Sequence, residues 1–297
     1  MKKKHKEESS RSAYLFMLPA LIIYLSVIVF PIFYSLYISF HSGTGIGMMK
    51  FVGLQNYVAM GSDPVFWQSL VHTLIWIALT VCITMPVSLL FAVLLNKYMP
   101  GRTFFRGLFY FPSIIAIVAV GIIWRWIYNP QLGIINSFLK LIGSSYRQTW
   151  IAKPDTVLIA VFFASLWQGI GQPMILFLAG LQSVDPQTLE AADIDGANGV
   201  QKFFRVTIPL MKDTFVMVLC TLVISAMKVY DIVKALTDGG PNNASQMLAT
   251  YMYNQTFAYN NVGYGTAIAI VMVLIMMIVI VPYLIFTARE NDGRKAK

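Results

Sequence analysis

Ser183-Val-Asp-Pro-Gln-Thr-Leu-Glu-Ala-Ala-Asp-Ile-Asp-Gly-Ala-Asn-Gly-Val-Gln-Lys-Phe-Phe-Arg-Val-Thr-Ile-Pro209 is a polar stretch, rich in helix signals, set between two long apolar runs. Asp185 is placed to cap a helix beginning at Pro186, where a missing N–H costs nothing and φ is already set. That helix is predicted to run for about ten residues, until Gly196 supplies a left-handed stop. A second short amphipathic piece follows, with Phe203 and Phe204 expected on one side and Lys202 and Arg205 on another. Helix, glycine turn, helix is a shape that moves as one body; the alternative is a helical hairpin merely tucked under a bundle.

The flanking runs, Thr156–Val184 and Thr214–Ala235, are long and apolar, the second carrying Lys228, Asp231 and Lys234 at its far end. Crossing roughly 30 Å of hydrocarbon takes about 20 helical residues. Working outward, four more runs of that order appear: Tyr14–Phe40, Thr73–Asn96, Gly107–Tyr128 (interrupted by Arg125) and Gly265–Ala288. The composition agrees. Of 297 residues, 57% are hydrophobic and only 12% charged, and the mean hydropathy is +0.67, where a soluble domain carries about a quarter charged residues. Pro19, Pro31, Pro86, Pro112, Pro173 and Pro282 fall inside or at the edges of these runs, which a helix bundle in lipid tolerates. Barrel strands would alternate over segments of about ten residues, and no such pattern is present.

Charge gives the orientation. Of 22 Lys and Arg, 15 fall on one side: Lys2, Lys3, Lys4, Lys6 and Arg11; Lys97, Arg102 and Arg106; Lys202, Arg205 and Lys212; and Arg289, Arg294, Lys295 and Lys297. The positive-inside rule therefore expects six spans with both termini cytoplasmic. The basic start is read as an uncleaved first helix, since the apolar run is too long for a signal peptide and no small-x-small site closes it. The expected organisation is a basic tail over 1–12, a six-span domain over 13–288 with a cytoplasmic loop at 183–210, and a basic tail over 289–297. The outer loops, His41–His72, Asn129–Asp155 and Leu236–Tyr264, are too short for independent domains. The net charge of +9 has no polar domain to carry it, so a nucleic-acid surface is not expected.

Catalytic patterns are missing. His5, His41 and His72 are scattered without partners at ligand spacing, and Cys82 and Cys220 both lie in apolar runs. No G-x-x-x-x-G-K-[ST] is present, so the chain has no P-loop, and the Gly43, Gly45, Gly47 run reads as a flexible turn.

Glu190-Ala-Ala, three residues, Gly196, nine residues, then Val206-Thr-Ile-Pro209 resembles the EAA loop of the membrane subunits of bacterial ABC importers. Leu236-Thr-Asp-Gly-Gly-Pro241 and Gly263-Tyr-Gly-Thr-Ala-Ile-Ala269 are similar to the carbohydrate branch of that family, which includes maltose, glycerol-3-phosphate, raffinose and multiple-sugar permeases. The chain departs from the maltose subunit, which carries a large external insertion and additional N-terminal helices. The resemblance implies an all-α transmembrane six-helix bundle of the type I importer fold, in a bacterial plasma membrane, with the loop as a coupling helix. Glu190, Ala191, Ala192, Gly196, Phe203 and Pro209 would form the surface docked on an ATPase. It further implies a second homologous permease, two ATPase copies that bind ATP and Mg, and an extracellular solute-binding protein. No cofactor or metal is expected in this chain, nor any enzymatic activity of its own.

In the fourth run Gln168 and Gln172 stand at i and i+4 on one helix face. Amides in lipid must face protein or a cavity. They either hydrogen-bond between helices or, as offsets similar to those of the maltose permease imply, meet sugar hydroxyls while Gly169 makes room for a ring. Thr221, Ser225 and Lys228 share a face of the fifth run, and Ser225 is a further candidate contact; Lys228 is expected either to form a structural ion pair with Asp231 or to snorkel to the interface. Trp150, Tyr251 and Tyr253 read as interface-belt aromatics. The expected function is a permease subunit of a binding-protein-dependent, ATP-driven oligosaccharide importer. An ion-gradient-driven secondary transporter is the alternative, and it would require ionisable residues at mid-membrane.

Overall fold

A computed structural model describes residues 16–45, 47–143 and 148–295. The basic stretch 1–12, Tyr14 and Lys297 lie outside the described residues. The chain is helical almost throughout. Among the described residues three helices are long and apolar enough to cross a membrane unbroken: α1 (Phe16–Ile38), α3 (Pro64–Asn96) and the stretch Val262–Pro282 of the last helix. Three more candidates are bent pairs: α4 with α5 (Arg102–Ile114 and Ile117–Ile127, 99°), α7 with α8 (Pro154–Gly169 and Gly171–Gln182, 46°), and α10 with α11 (Gly199–Leu210 and Lys212–Met227, 71°). Six spans result if each bent pair is one.

Proline decides where several of these helices distort. In α1 and α3, and again in α10, a π-helical turn ends two residues before a proline: Leu25–Val29 before Pro31, Thr80–Thr84 before Pro86, Phe203–Thr207 before Pro209. Each time the residue just before the proline sends its N–H five residues back, Phe30 to Leu25, Met85 to Thr80, and Ile208 to Phe203. A proline ring collides with the carbonyl four residues earlier and offers it no donor, so the turn opens by one residue. A fourth such turn, Asn254–Ala258, contains no proline and is followed by Tyr259.

By their contacts the described residues divide into two compact units. One runs through Ser62 and takes up Met252–Leu274. It holds α1, a two-residue hairpin (β1, His41–Ser42, antiparallel to β2, Lys50–Phe51) and α2 (Gln55–Gly61). Asn56 donates from Nδ2 to the carbonyls of Ser39 (2.8 Å) and His41 (2.9 Å), tying α2 to the hairpin.

The other unit comprises Asp63–Tyr251 and Ile275–Lys297 and contains two apolar cores. In the first, Trp76 of α3 and Val120 of α5 pack with Val157, Val161 and Phe162 of α7 and with Val233 of α12 (Asp231–Leu236). In the second, Ala92 and Leu95 of α3 meet Met174 and Phe177 of α8 and Val218 and Leu222 of α11. Two close approaches fix this packing. A Cβ on Gly171 would stand 2.5 Å from Ser113 Oγ and 2.9 Å from Tyr110 Cα, so α8 lies against α4 at a distance only glycine permits. At the end of α3, Arg106 donates from Nη2 to Leu95 O (2.8 Å), a cation at a helix C-terminus.

The described residues of the loops between spans include helices of their own. The second span starts at Pro64 rather than Thr73, because Asp63 caps it through bonds from Val65 N and Phe66 N. The next loop contains the amphipathic α6 (Ile134–Leu141), and the last contains α12 and α13 (Leu248–Tyr253). Tyr251 is buried and donates to Asp63, and Trp150 donates from Nε1 to Asn136 Oδ1 (3.1 Å), so both have polar work inside the protein. The fifth run does not continue to Ala235: α11 stops at Met227, and Lys228 takes φ −97°, ψ 9°. The i, i+3 geometry assumed for Lys228 and Asp231 is therefore lost, and their expected ion pair does not form; Lys234 pairs with Asp238 instead (2.5 Å). The last helix, α14, runs Val262–Lys295, beyond the Ala288 end of its apolar run.

Gly171→Ala is expected to destabilise the protein by about 1–3 kcal/mol through overpacking against α4. Gly169→Ala, two residues away, adds a methyl where no atom lies within 4 Å. Thermal unfolding in detergent should separate the two; equal midpoints would contradict this packing.

Candidate functional site

A cavity of about 160 Å³ opens between the two cores. Its walls come from α3 (Trp76, Thr80, Thr84), α7 (Phe162, Ser165, Gly169), α8 (Gln172, Pro173, Leu176) and α11 (Val218, Thr221, Leu222, Ser225). None of the side chains lining it is ionisable. Trp76 meets Phe162 edge to face at 5.4 Å, and both are almost wholly buried.

The bend between α7 and α8 creates much of this space. Pro173 can give no N–H to Gly169, and the helix reopens there. The carbonyls near the break find donors on neighbouring helices: Ser88 Oγ donates to Ile170 O (3.1 Å) and Ser113 Oγ to Gln168 O (2.7 Å). Gln168 in turn donates from Nε2 to Ile115 O (2.9 Å), where Ile115 and Ala116 take extended backbone and end α4. The breaks in the two bent spans thus clasp each other through Ser113 and Gln168. In hydrocarbon, where no water replaces a lost partner, such cross-bonding makes irregular backbone tolerable.

The four candidate ligand contacts therefore divide. Gly169, Gln172 and Ser225 line the cavity; Gln168 does not, and its amide is committed to Ile115. Thr80 and Thr84 also stand in the wall, although the apolarity of the second run gives them no prominence in the sequence. The sequence signal for them is Pro86, which places a widened turn just before it.

The polar loop folds as two short helices. Asp185 accepts from Gln187 N (3.0 Å) at the start of α9 (Pro186–Ile194), with Pro186 at its first position. Gly196, at φ +79°, ends it. Ala197 N bonds Ala192 O (3.0 Å) and Gly196 N bonds Asp193 O (3.1 Å), the paired bonds of a Schellman stop. Asn198 then begins α10 with a reciprocal cap, its Oδ1 accepting from Gln201 N while Gln201 Oε1 accepts from Asn198 N, both at 2.9 Å. An ion pair from Lys202 to Asp193 (2.5 Å) ties the second helix to the first.

Glu190 and Ala191 are exposed on α9, Ala192 is half-buried, and Pro209 is exposed on α10. Phe203 and Phe204 do not share a face. Phe203 turns inward with Lys202 to line a second cavity of about 410 Å³ beside Leu181 and Leu189, while Phe204 is 61% exposed. Neighbouring helical residues project about 100° apart, so only positions three or four apart stay together.

Residues 84–291 match the family of binding-protein-dependent transport system inner membrane components. The probable ABC transporter permease protein YurN of Bacillus subtilis is 35% identical over 269 residues, 89% of this chain and 91% of that one. The multiple sugar-binding transport system permease protein MsmF of Streptococcus mutans is 34% identical over 266 residues, again 89% and 91%. A bacterial alginate ABC transporter, crystallised with an alginate pentasaccharide-bound periplasmic protein, has the same fold, with a TM-score of 0.82 at 21% identity over 94% of each chain.

Gln168→Ala would leave the Ile115 carbonyl without its donor and is expected to cost about 1–3 kcal/mol. Gln172→Ala removes an amide that has no hydrogen bond to another described residue and should leave the melting midpoint unchanged. A wild-type midpoint for Gln168→Ala would mean that the clasp does not hold the two breaks.

Proposed function

The chain belongs to the family of binding-protein-dependent transport system inner membrane components, and from that premise we propose that it is the permease subunit of an ATP-driven carbohydrate importer. The observation that carries the reading is the direct run of α10 into α11. The same pair of helices joins the polar loop at one end to the cavity wall at Thr221 and Ser225. Force applied to the loop therefore reaches the cavity through two helices and one bend.

Each part has a physical role. The hairpin of α9 and α10 is capped at both starts, stopped at Gly196 and pinned by Lys202–Asp193, so a push moves it as a body. Glu190 and Ala191 present a charge and a small surface to a cytoplasmic ATPase, which binds ATP and Mg in place of this chain. Two copies of that ATPase, a second homologous permease that completes the path, and an external solute-binding protein form the assembly. In this reading both termini and the 183–210 loop face the cytoplasm, which the distribution of Lys and Arg supports.

Carbohydrate is supported by the cavity and by the relatives. Hydroxyl and amide groups beside an aromatic floor suit a polyhydroxylated solute. MsmF is named for multiple-sugar transport, and the alginate importer shares the fold with a saccharide-loaded periplasmic protein beside it. A carrier driven by an ion gradient would need a titrating or ion-pairing group in the path, and the cavity lining offers none.

Three outcomes test this. Gln172→Ala is expected to raise the half-saturation concentration for saccharide uptake by roughly fivefold, the loss of about 1 kcal/mol of hydrogen bonding. Gly196→Val forces a β-branched residue into φ +79°, a strain of roughly 1–3 kcal/mol. It should abolish ATPase copurification or binding-protein-stimulated phosphate release, as should Glu190→Lys; wild-type stimulation in both would move the coupling surface elsewhere. Single cysteines at Gly53 and Asn243 should react with an impermeant external reagent and one at Asn198 should not; labelling at Asn198 from outside would reverse the orientation.

A further inference from the structure

We propose that the widened turn of α3 is itself a wall of the sugar site, where the hydroxyls of Thr80 and Thr84 hydrogen-bond an uncharged saccharide above the floor made by Trp76 and Phe162. This assignment rests on the reading of the cavity as the carbohydrate path.

Five threonines elsewhere in these helices give their hydroxyls to the carbonyl one turn back. Thr73 bonds Ser69 O (2.8 Å), Thr221 bonds Met217 O (2.8 Å), Thr237 bonds Val233 O (3.1 Å), Thr256 bonds Met252 O (2.8 Å) and Thr266 bonds Val262 O (2.7 Å). Thr80 and Thr84 do not follow them. Neither hydroxyl has a hydrogen-bond partner among the described residues, although the two residues are only 8% and 5% exposed and both line the cavity.

Both threonines lie in the turn that Pro86 opens, where the N–H of Met85 reaches five residues back to Thr80 O. Both hydroxyls are open to the cavity rather than sealed into the packing, so they stay available to a ligand that supplies donors and acceptors. Of the other polar groups in the lining, Thr221 has already used its hydroxyl, which leaves Ser165, Gln172 and Ser225 to complete the set. A carboxylate or phosphate on the sugar would be buried here without a counter-charge, whereas ring hydroxyls pair with every one of these groups. The ligand class is therefore an uncharged saccharide.

The test uses the assembled transporter with its binding protein in proteoliposomes and raffinose as the uncharged probe. In a Cys82→Ala, Cys220→Ala background, Thr80→Cys, Thr84→Cys and Ser225→Cys are treated with a cationic methanethiosulfonate reagent, with and without raffinose. All three thiols should react, and raffinose should slow all three. Thr80→Val and Thr84→Val should each raise the half-saturation concentration for raffinose uptake by about fivefold with the maximal rate kept. Protection at Ser225→Cys alone, or unchanged half-saturation in both valine variants, would overturn the role of the widened turn while leaving the cavity reading intact. Protection at none of the three positions would overturn the cavity reading itself.

Discussion

A helix surrounded by lipid has no water with which to repair a broken hydrogen bond, so every proline within one must be answered by the protein. Here the answers shape the molecule. Pro31, Pro86 and Pro209 each follow a turn opened by one residue, and Pro173 sits where α7 gives way to α8. Where the backbone breaks outright, side chains from neighbouring helices supply the donors: Ser88 to Ile170, Ser113 to Gln168 and Gln168 to Ile115. These bonds hold the bent spans in place.

The distortions also make room. Thr80 and Thr84 occupy one widened turn, and Gly169 and Gln172 flank the α7–α8 break, so half of the cavity's polar wall lies where regular helix has failed. A straight bundle with the same residues would pack shut, as close-packed interiors do. The third π turn, Phe203–Thr207, lies between the polar loop and α11, and the 71° bend follows it. Distorted backbone therefore occurs at the cavity and again on the route from the loop to the cavity.

Much of this was legible in the sequence, for definable reasons. Apolar length located six runs, and Asp185, Pro186 and Gly196 announced the hairpin, because capping and left-handed stops depend on local chemistry alone. The second span starts nine residues before its apolar run does, since the run begins at Thr73 whereas the helix begins at Pro64, behind its cap Asp63. The cap at Asn198 carries a readable signal in Gln201 three residues on. Gln168 illustrates a limit of a different kind: spacing put it on a face with Gln172, but only tertiary structure shows that one amide serves a broken backbone while the other faces the cavity. Lys228 was assigned a partner on the assumption of continuous helix, and α11 ends one residue before it.

The central claim is that the space between the two cores, opened by these bends, holds the transported solute. A density map of the assembled complex, trapped with saccharide-loaded binding protein and a nucleotide that cannot be hydrolysed, tests it most directly. The account predicts saccharide density in contact with Gln172 and Ser225 and bounded by α3, α7 and α11. A cavity filled by side chains or lipid, with the saccharide bound elsewhere in the chain, would contradict it.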